Sequence, residues 1–160
     1  MSGRAASIST KTGDGGMTDL QGARLSKADP RVEALGALDE LDAVLADAQS
    51  VCTGETEEII EAVRNEIFYA LMPALNLPRI DSQAGSLSRL ETWIAQFEEV
   101  NSAKGFVRNW NGPAALKLNI ARTICRRAER RAAAADRSTE SLLAYLNRLS
   151  DLLFLLSNAR

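Results

Sequence analysis

The sequence predicts an all-α fold, a bundle of five helices preceded by an extended N-terminal loop of about 28 residues. Two observations carry that prediction. From Asp29 onward apolar residues recur three and four apart, the period of a helix with one buried face. Before Asp29 no such period exists, and Gly13, Gly15 and Gly16 crowd into four residues among hydroxyl and charged groups. The 160 residues, 46% of them apolar and 25% charged, suit one domain, residues 1–160, in which 1–28 form the loop and 29–160 the bundle.

The first helix starts at Asp29, a natural N-cap, with Pro30 in its first turn and Val32, Leu35, Leu38, Leu41, Val44 and Leu45 as its apolar stripe. A second is expected from about Glu55 to Asn76, burying Ile59, Ile60, Val63, Ile67, Phe68, Leu71 and Leu75, with Pro73 kinking it or ending it early. Residues 78–85 are turn-like. A third helix then carries Leu87, Leu90, Trp93, Ile94 and Phe97. The stretch "GFVRNWNGP", 105–113, shows no period and reads as a loop. Pro113 opens a fourth helix running to about Ala135, and Ser138 or Thr139 caps a fifth that contains "YLNRLSDLLFLL".

Charge and composition exclude several functions. A formal net charge of -2 supplies no global positive field for nucleic acid, and no apolar run reaches the roughly 20 residues of a membrane span. The two cysteines, Cys52 and Cys125, form neither a disulfide framework nor a zinc-ligand spacing, and point to a reducing, cytoplasmic setting. There is no histidine, so the commonest general base and transition-metal ligand are missing. Chemistry here has to run on positioning, charge and a bound small molecule.

Two clusters could supply that positioning. In "TKTGDGGMT" the glycines let backbone N–H groups turn toward an anion, with Thr10, Lys11, Thr12 and Thr18 as further donors; a phosphate cradle and a flexible tail both fit, and neither a P-loop nor a dinucleotide fingerprint is present. In "TICRRAERR" the helical period puts Arg122, Arg126, Glu129 and Arg130 on one side and Ala121, Ile124, Cys125 and Ala128 toward the core. Such a face grips a triphosphate or is simply solvated. Asp39, Glu40, Asn147, Arg148 and Asp151 read as polar groups on helix surfaces, and Cys125 as a small core residue.

In order and spacing, "TKTGDGGMTDL", "SKADPRVEALGALDEL", "ARTICRRAER" and "YLNRLSDLLF" resemble the PduO-type ATP:corrinoid adenosyltransferases, from Thr10 to Phe154. The resemblance implies a five-helix bundle assembled as a homotrimer, with active sites between subunits, that moves the adenosyl group of ATP to the cobalt of a reduced corrinoid with Mg²⁺ and releases triphosphate. It places Thr10, Lys11, Gly13, Asp14, Gly16, Thr18 and Lys27 in the nucleotide loop. Arg122, Arg126, Glu129, Arg130 and Asn147 would complete the ATP site from the neighbouring subunit. Asp39 would pair with Arg126 or its neighbour near the corrinoid, and Phe106 would shield the lower face of cobalt.

The chain departs from that pattern where the family reads "FVLPGG": here "FVRNWN" puts Trp110 and Asn111 in place of glycines, and Asn119 stands where a histidine is common. Two functions are therefore expected to compete. Either a remodelled pocket still transfers the adenosyl group, or the chain is an ATP-binding regulatory or cofactor-handling module that has lost the transfer.

Overall fold

The computed structural model describes residues 9–20, 22–71, 83–100, 110–135 and 140–159. Helix α1, Pro30–Gln49, begins as expected: the Asp29 carboxylate accepts from the Arg31 N–H at 2.9 Å, and Pro30 lies in the first turn. The Arg31 side chain also donates to Asp29, at 3.0 Å through Nε, and these bonds hold the Asp29 carboxyl below its usual range. Ala34, Ala37, Leu38, Leu41, Leu45 and Ala48 are buried along one face.

Helix α2, Glu55–Glu66, ends ten residues before the expected Asn76 and passes into one π-helical turn, Ile67–Leu71. The wider turn changes which residues face inward. Ile67 is buried, but Phe68, expected inside, is 58% exposed and meets Tyr69 edge to face. Glu66, the last α-helical residue, points into the core instead: Tyr145 Oη donates to its Oε2 at 2.5 Å, and the Arg89 guanidinium lies 3.2 Å from its Oε1. Pro73, Leu75 and the turn from Pro78 fall outside the described residues.

Helix α3, Gln83–Val100, buries Leu90 and Phe97 and packs Trp93 and Ile94 on the core. Helix α4, Gly112–Ala133, is entered through extended Asn111, with Pro113 in its first turn, and buries Leu118, Ala121, Cys125, Ala128 and Ala132. Small residues on that face let it lie close to its neighbours. Helix α5, Glu140–Asn158, is the most apolar and is buried on several sides by Leu142, Tyr145, Leu146, Leu149, Leu152, Leu153 and Leu156. The expected caps Ser138 and Thr139 lie outside the described residues.

In the bundle α4 is sandwiched between α1 and α5, and α5 also packs on α3. Ion pairs fix α1 and α4 as antiparallel partners: Glu33 with Arg131 at 2.9 Å, Glu40 with Arg127, and Asp47 with Lys117. On the other side Arg126 donates to Ser150 Oγ at 3.2 Å, and Asn147 Nδ2 donates to Glu129 Oε1 at 3.4 Å. The two flanks of α4 thus carry different chemistry.

The N-terminal loop is more ordered than an extended strand of chain. Met17–Leu20 (β1) and Ala23–Ser26 (β2) form an antiparallel hairpin in the register Met17↔Ser26 and Leu20↔Ala23, turning at Gly22 with φ 77°. No helix among the described residues is long and apolar enough to cross a membrane.

Candidate functional site

The residues ahead of the hairpin fold back on it by backbone turns. Asp14 N–H donates to Lys11 C=O at 3.3 Å, Gly16 N–H to Gly13 C=O at 3.1 Å, and Lys27 N–H to Gly16 C=O at 2.9 Å. Lys11 takes a left-handed conformation, φ 59°, uncommon for a residue with a side chain and concentrated where function holds the backbone. Gly13 is the close approach: a Cβ there would lie 3.0 Å from the Lys27 ammonium. Thr10 and Thr12 share a hydroxyl hydrogen bond at 2.9 Å. Lys11, Thr12 and Asp14 are exposed, and the Lys11, Asp14 and Lys27 side chains make no hydrogen bond or ion pair to the described residues.

One residue holding this loop escaped the sequence reading. Arg24, on β2, pairs with Asp19 across the hairpin at 2.8 Å and also donates to the Thr12 carbonyl. The register Asp19↔Arg24 makes the pair a direct cross-strand one. An opposite-charge pair spaced by a two-residue turn was the available signal, hidden because the hairpin itself was not foreseen.

Between hairpin and bundle lies a cleft of about 400 Å³, lined by Thr18 and Lys27, by Val32, Glu33, Gly36, Ala37 and Glu40 of α1, and by Arg127 and Arg131 of α4. The arginines that reach it are therefore not the expected ones. At about 100° per residue, Arg131 points directly away from Arg122, and Arg127 stands about 100° round the helix from Arg126. Arg127 and Arg131 face α1 and the loop of the same chain, while Arg122, Arg126 and Glu129 line the α4–α5 side.

That second surface is a groove. Arg122 Nε donates to Asn119 Oδ1 at 2.9 Å, Arg126 to Ser150, and Asn147 to Glu129; the Arg148 guanidinium in turn donates to Asn147 Oδ1 at 3.0 Å. Arg130 is exposed, its guanidinium making no hydrogen bond or ion pair to the described residues. The groove thus brings together Arg122, Arg126, Glu129 and Asn147, as the sequence suggested, and leaves them on the opposite flank of α4 from Lys11, Gly13 and Lys27. Trp110, half-buried at the start of α4, meets Phe154 of α5 edge to face, with ring centroids 6.4 Å apart at 88°.

The expected Asp39 pairing is not made inside the chain. Asp39 is exposed on α1 without a charged partner among the described residues, because Arg126 turns toward α5 and its neighbour Arg127 takes Glu40. Phe106 lies outside the described residues. Cys125 is buried, donates its S–H to the Leu146 carbonyl at 3.3 Å, and has its thiol pushed far up by burial, so it is a core group as expected.

Comparisons with known proteins give this arrangement its family. The family described as cobalamin adenosyltransferase matches residues 8–159. The corrinoid adenosyltransferase of Bacillus subtilis is 38% identical over 91% of this chain and 81% of its own length. Corrinoid adenosyltransferase PduO of Salmonella typhimurium is 36% identical over 95% of this chain, which spans about half that relative's length. A variant of the PduO-type ATP:corrinoid adenosyltransferase of Lactobacillus reuteri, complexed with cobalamin and ATP, superposes with a TM-score of 0.85 at 30% identity, covering 95% of this chain and 89% of that one. The chain belongs to the cobalamin adenosyltransferase family.

Proposed function

We propose that the chain transfers the 5′-deoxyadenosyl group of ATP to the cobalt of a reduced corrinoid and releases triphosphate, in a homotrimer whose sites lie between subunits. The observation that carries the second half is the separation of the two cationic elements. Lys11, Gly13, Asp14, Gly16, Thr18 and Lys27 stand on the α1 flank, and Arg122, Arg126 and Arg130 on the α5 flank or facing outward, so one chain's loop does not close on its own arginines. A neighbouring copy brings loop and arginines together around one nucleotide. Asp39, exposed on α1, is then free to take an arginine of that neighbour.

In the reaction, cobalt(I) supplies the electron pair that forms the bond to the ribose C5′. The C5′–O bond breaks, and its electron pair leaves on the triphosphate. Cobalt is the nucleophile, so no protein base is required and the absence of histidine removes nothing the step needs. The chain's own contribution is to align C5′ and to neutralise the departing charge with Lys11, Lys27 and the arginines, Glu129 and Asn147 fixing the groove that carries them. Mg²⁺ would arrive with ATP, where it would help neutralise the phosphates, and the exposed Asp14 carboxylate on the loop would be the residue to help hold it. Phe106 serves as the apolar group beneath cobalt; Phe106→Ala slows formation of the cobalt–carbon bond with ATP affinity unchanged, and an unaltered rate would remove that role. Two reduced, buried cysteines fit a cytoplasmic location.

The ATP-binding module without transfer is less favoured, since the Lactobacillus reuteri relative holds cobalamin as well as ATP. The test is anaerobic: protein, ATP, Mg²⁺ and chemically reduced cobalamin are mixed, and loss of cob(I)alamin absorbance is followed with appearance of light-sensitive adenosylcobalamin. Catalytic turnover is expected. ATP binding without turnover would overturn the transfer and leave the module.

A further inference from the structure

Trp110 is a large aromatic set just before α4, and it belongs neither to the buried core nor to the residues packed against it. Its indole is not buried in the core. It is half-exposed immediately before Asn111, the N-cap of α4, and is braced edge to face by Phe154. Edge-to-face contact of the two ring quadrupoles fixes the orientation of an indole that would otherwise rotate on an irregular segment. By helical period Phe154 falls on the same face of α5 as Asn147 and Ser150, which bond to Glu129 and Arg126 of α4. The aromatic pair and the arginines therefore share one surface, the α4–α5 groove.

We infer that Trp110, buttressed by Phe154, is a specificity-determining residue of the corrinoid half of the site, a fixed aromatic wall against which the conjugated macrocycle rests. This inference rests on the transfer reading above. Charge divides the groove: the triphosphate belongs with the guanidiniums of Arg122, Arg126 and Arg130, whereas Trp110 and Phe154 present an uncharged, flat, polarizable surface. A large planar ring with little charge at its periphery fits that surface. The site is thus tuned to a corrinoid seated against side chain rather than main chain. Adenine is the other flat group in the reaction, and it gives a different kinetic signature.

The experiment compares wild type, Trp110→Ala, Trp110→Phe and Phe154→Ala in anaerobic adenosyl transfer, varying reduced cobalamin and ATP separately, with equilibrium dialysis of cobalamin in the presence of ATP beside it. Trp110→Ala is expected to raise the cobalamin KM about tenfold while the ATP KM and kcat stay within about twofold. Trp110→Phe recovers most of the loss, and Phe154→Ala raises the cobalamin KM less, with an effect that disappears in the Trp110→Ala background. An unchanged cobalamin KM in a folded Trp110→Ala protein overturns the inference, and so does a rise confined to the ATP KM, which would assign the indole to adenine. Absent turnover in wild type overturns the transfer reading separately. Dialysis then decides here: equal cobalamin retention by wild type and Trp110→Ala refutes the wall, and weaker retention by the variant supports it.

Discussion

Arg126 shows how little of a residue's role is visible from its own chain. Its one bond among the described residues goes to an uncharged acceptor, Ser150 Oγ, in a partly exposed place, so it adds little to folding. In the proposed site the same guanidinium would be desolvated against the charged triphosphate, where its bonds would be stronger. Arg126→Ala is therefore expected to leave the melting temperature nearly unchanged and to lower kcat/KM for ATP by about 2 kcal/mol, roughly 30-fold. Steady-state kinetics beside a thermal melt separate the two, and wild-type turnover would remove Arg126 from the site. Tyr145 is the reverse case, structural rather than chemical. Burial, with the Glu66 carboxyl beside it, pushes the phenol well above its ordinary value of 10.0. The folded state holds the proton more tightly than the unfolded chain, so this stability is fully present below about pH 10 and is lost as pH rises from there toward the folded value. Tyr145→Phe removes a buried donor from Glu66, costs about 1–3 kcal/mol at neutral pH, and flattens the alkaline limb of a stability profile measured by urea unfolding.

At the scale of elements, the helices were legible because each has a stripe with its own start signal: Asp29 and Pro30 for α1, Pro113 for α4, and a nearly continuous leucine face for α5. The hairpin was not, since "MTDL" and "ARLS" are four-residue strands with no fully buried residue and without the alternating apolar pattern that marks a half-buried sheet. The π turn after Glu66 was equally hidden, and so was the tertiary bond that Glu66, the residue before it, accepts from Tyr145, 79 residues away, which no local pattern records. The same limit applied to α4. Spacing showed that Arg122, Arg126 and Glu129 share a face, but which helix that face meets depends on packing, and so Arg127 and Arg131 beside the loop went unnoticed. The loop gives its own test. In Gly13→Ala the new Cβ displaces the Lys27 ammonium from 3.0 Å, a shift that a flexible side chain makes at small cost to folding. The ATP KM is expected to rise by about 1 kcal/mol, roughly fivefold, with the helical circular dichroism unchanged; an unaltered KM would detach Lys27 from the nucleotide.

For the whole molecule the decisive question is whether one chain contains a site. Two cationic arrangements are on offer. Lys27, Arg127 and Arg131 share a cleft within one chain, although there Glu40 and Glu33 already neutralise both arginines. The loop of one copy and the Arg122, Arg126 and Arg130 face of the next make the other, in which Arg126 and Arg130 carry no carboxylate partner among the described residues of their own chain. A bound triphosphate favours guanidiniums whose charge is not already spent on glutamates, which argues for the arrangement between chains. Coexpression of Lys27→Ala with Arg126→Ala tests it. Each variant alone lacks an intact site, since every interface contains the damaged element. In a trimer of randomly mixed subunits about one quarter of interfaces pair an undamaged loop with an undamaged face, so transfer activity should recover to roughly 25% of wild type. If coexpression yields no more than the parent variants, the nucleotide sits within a single chain, and the cleft bordered by Arg127 and Arg131 becomes its place.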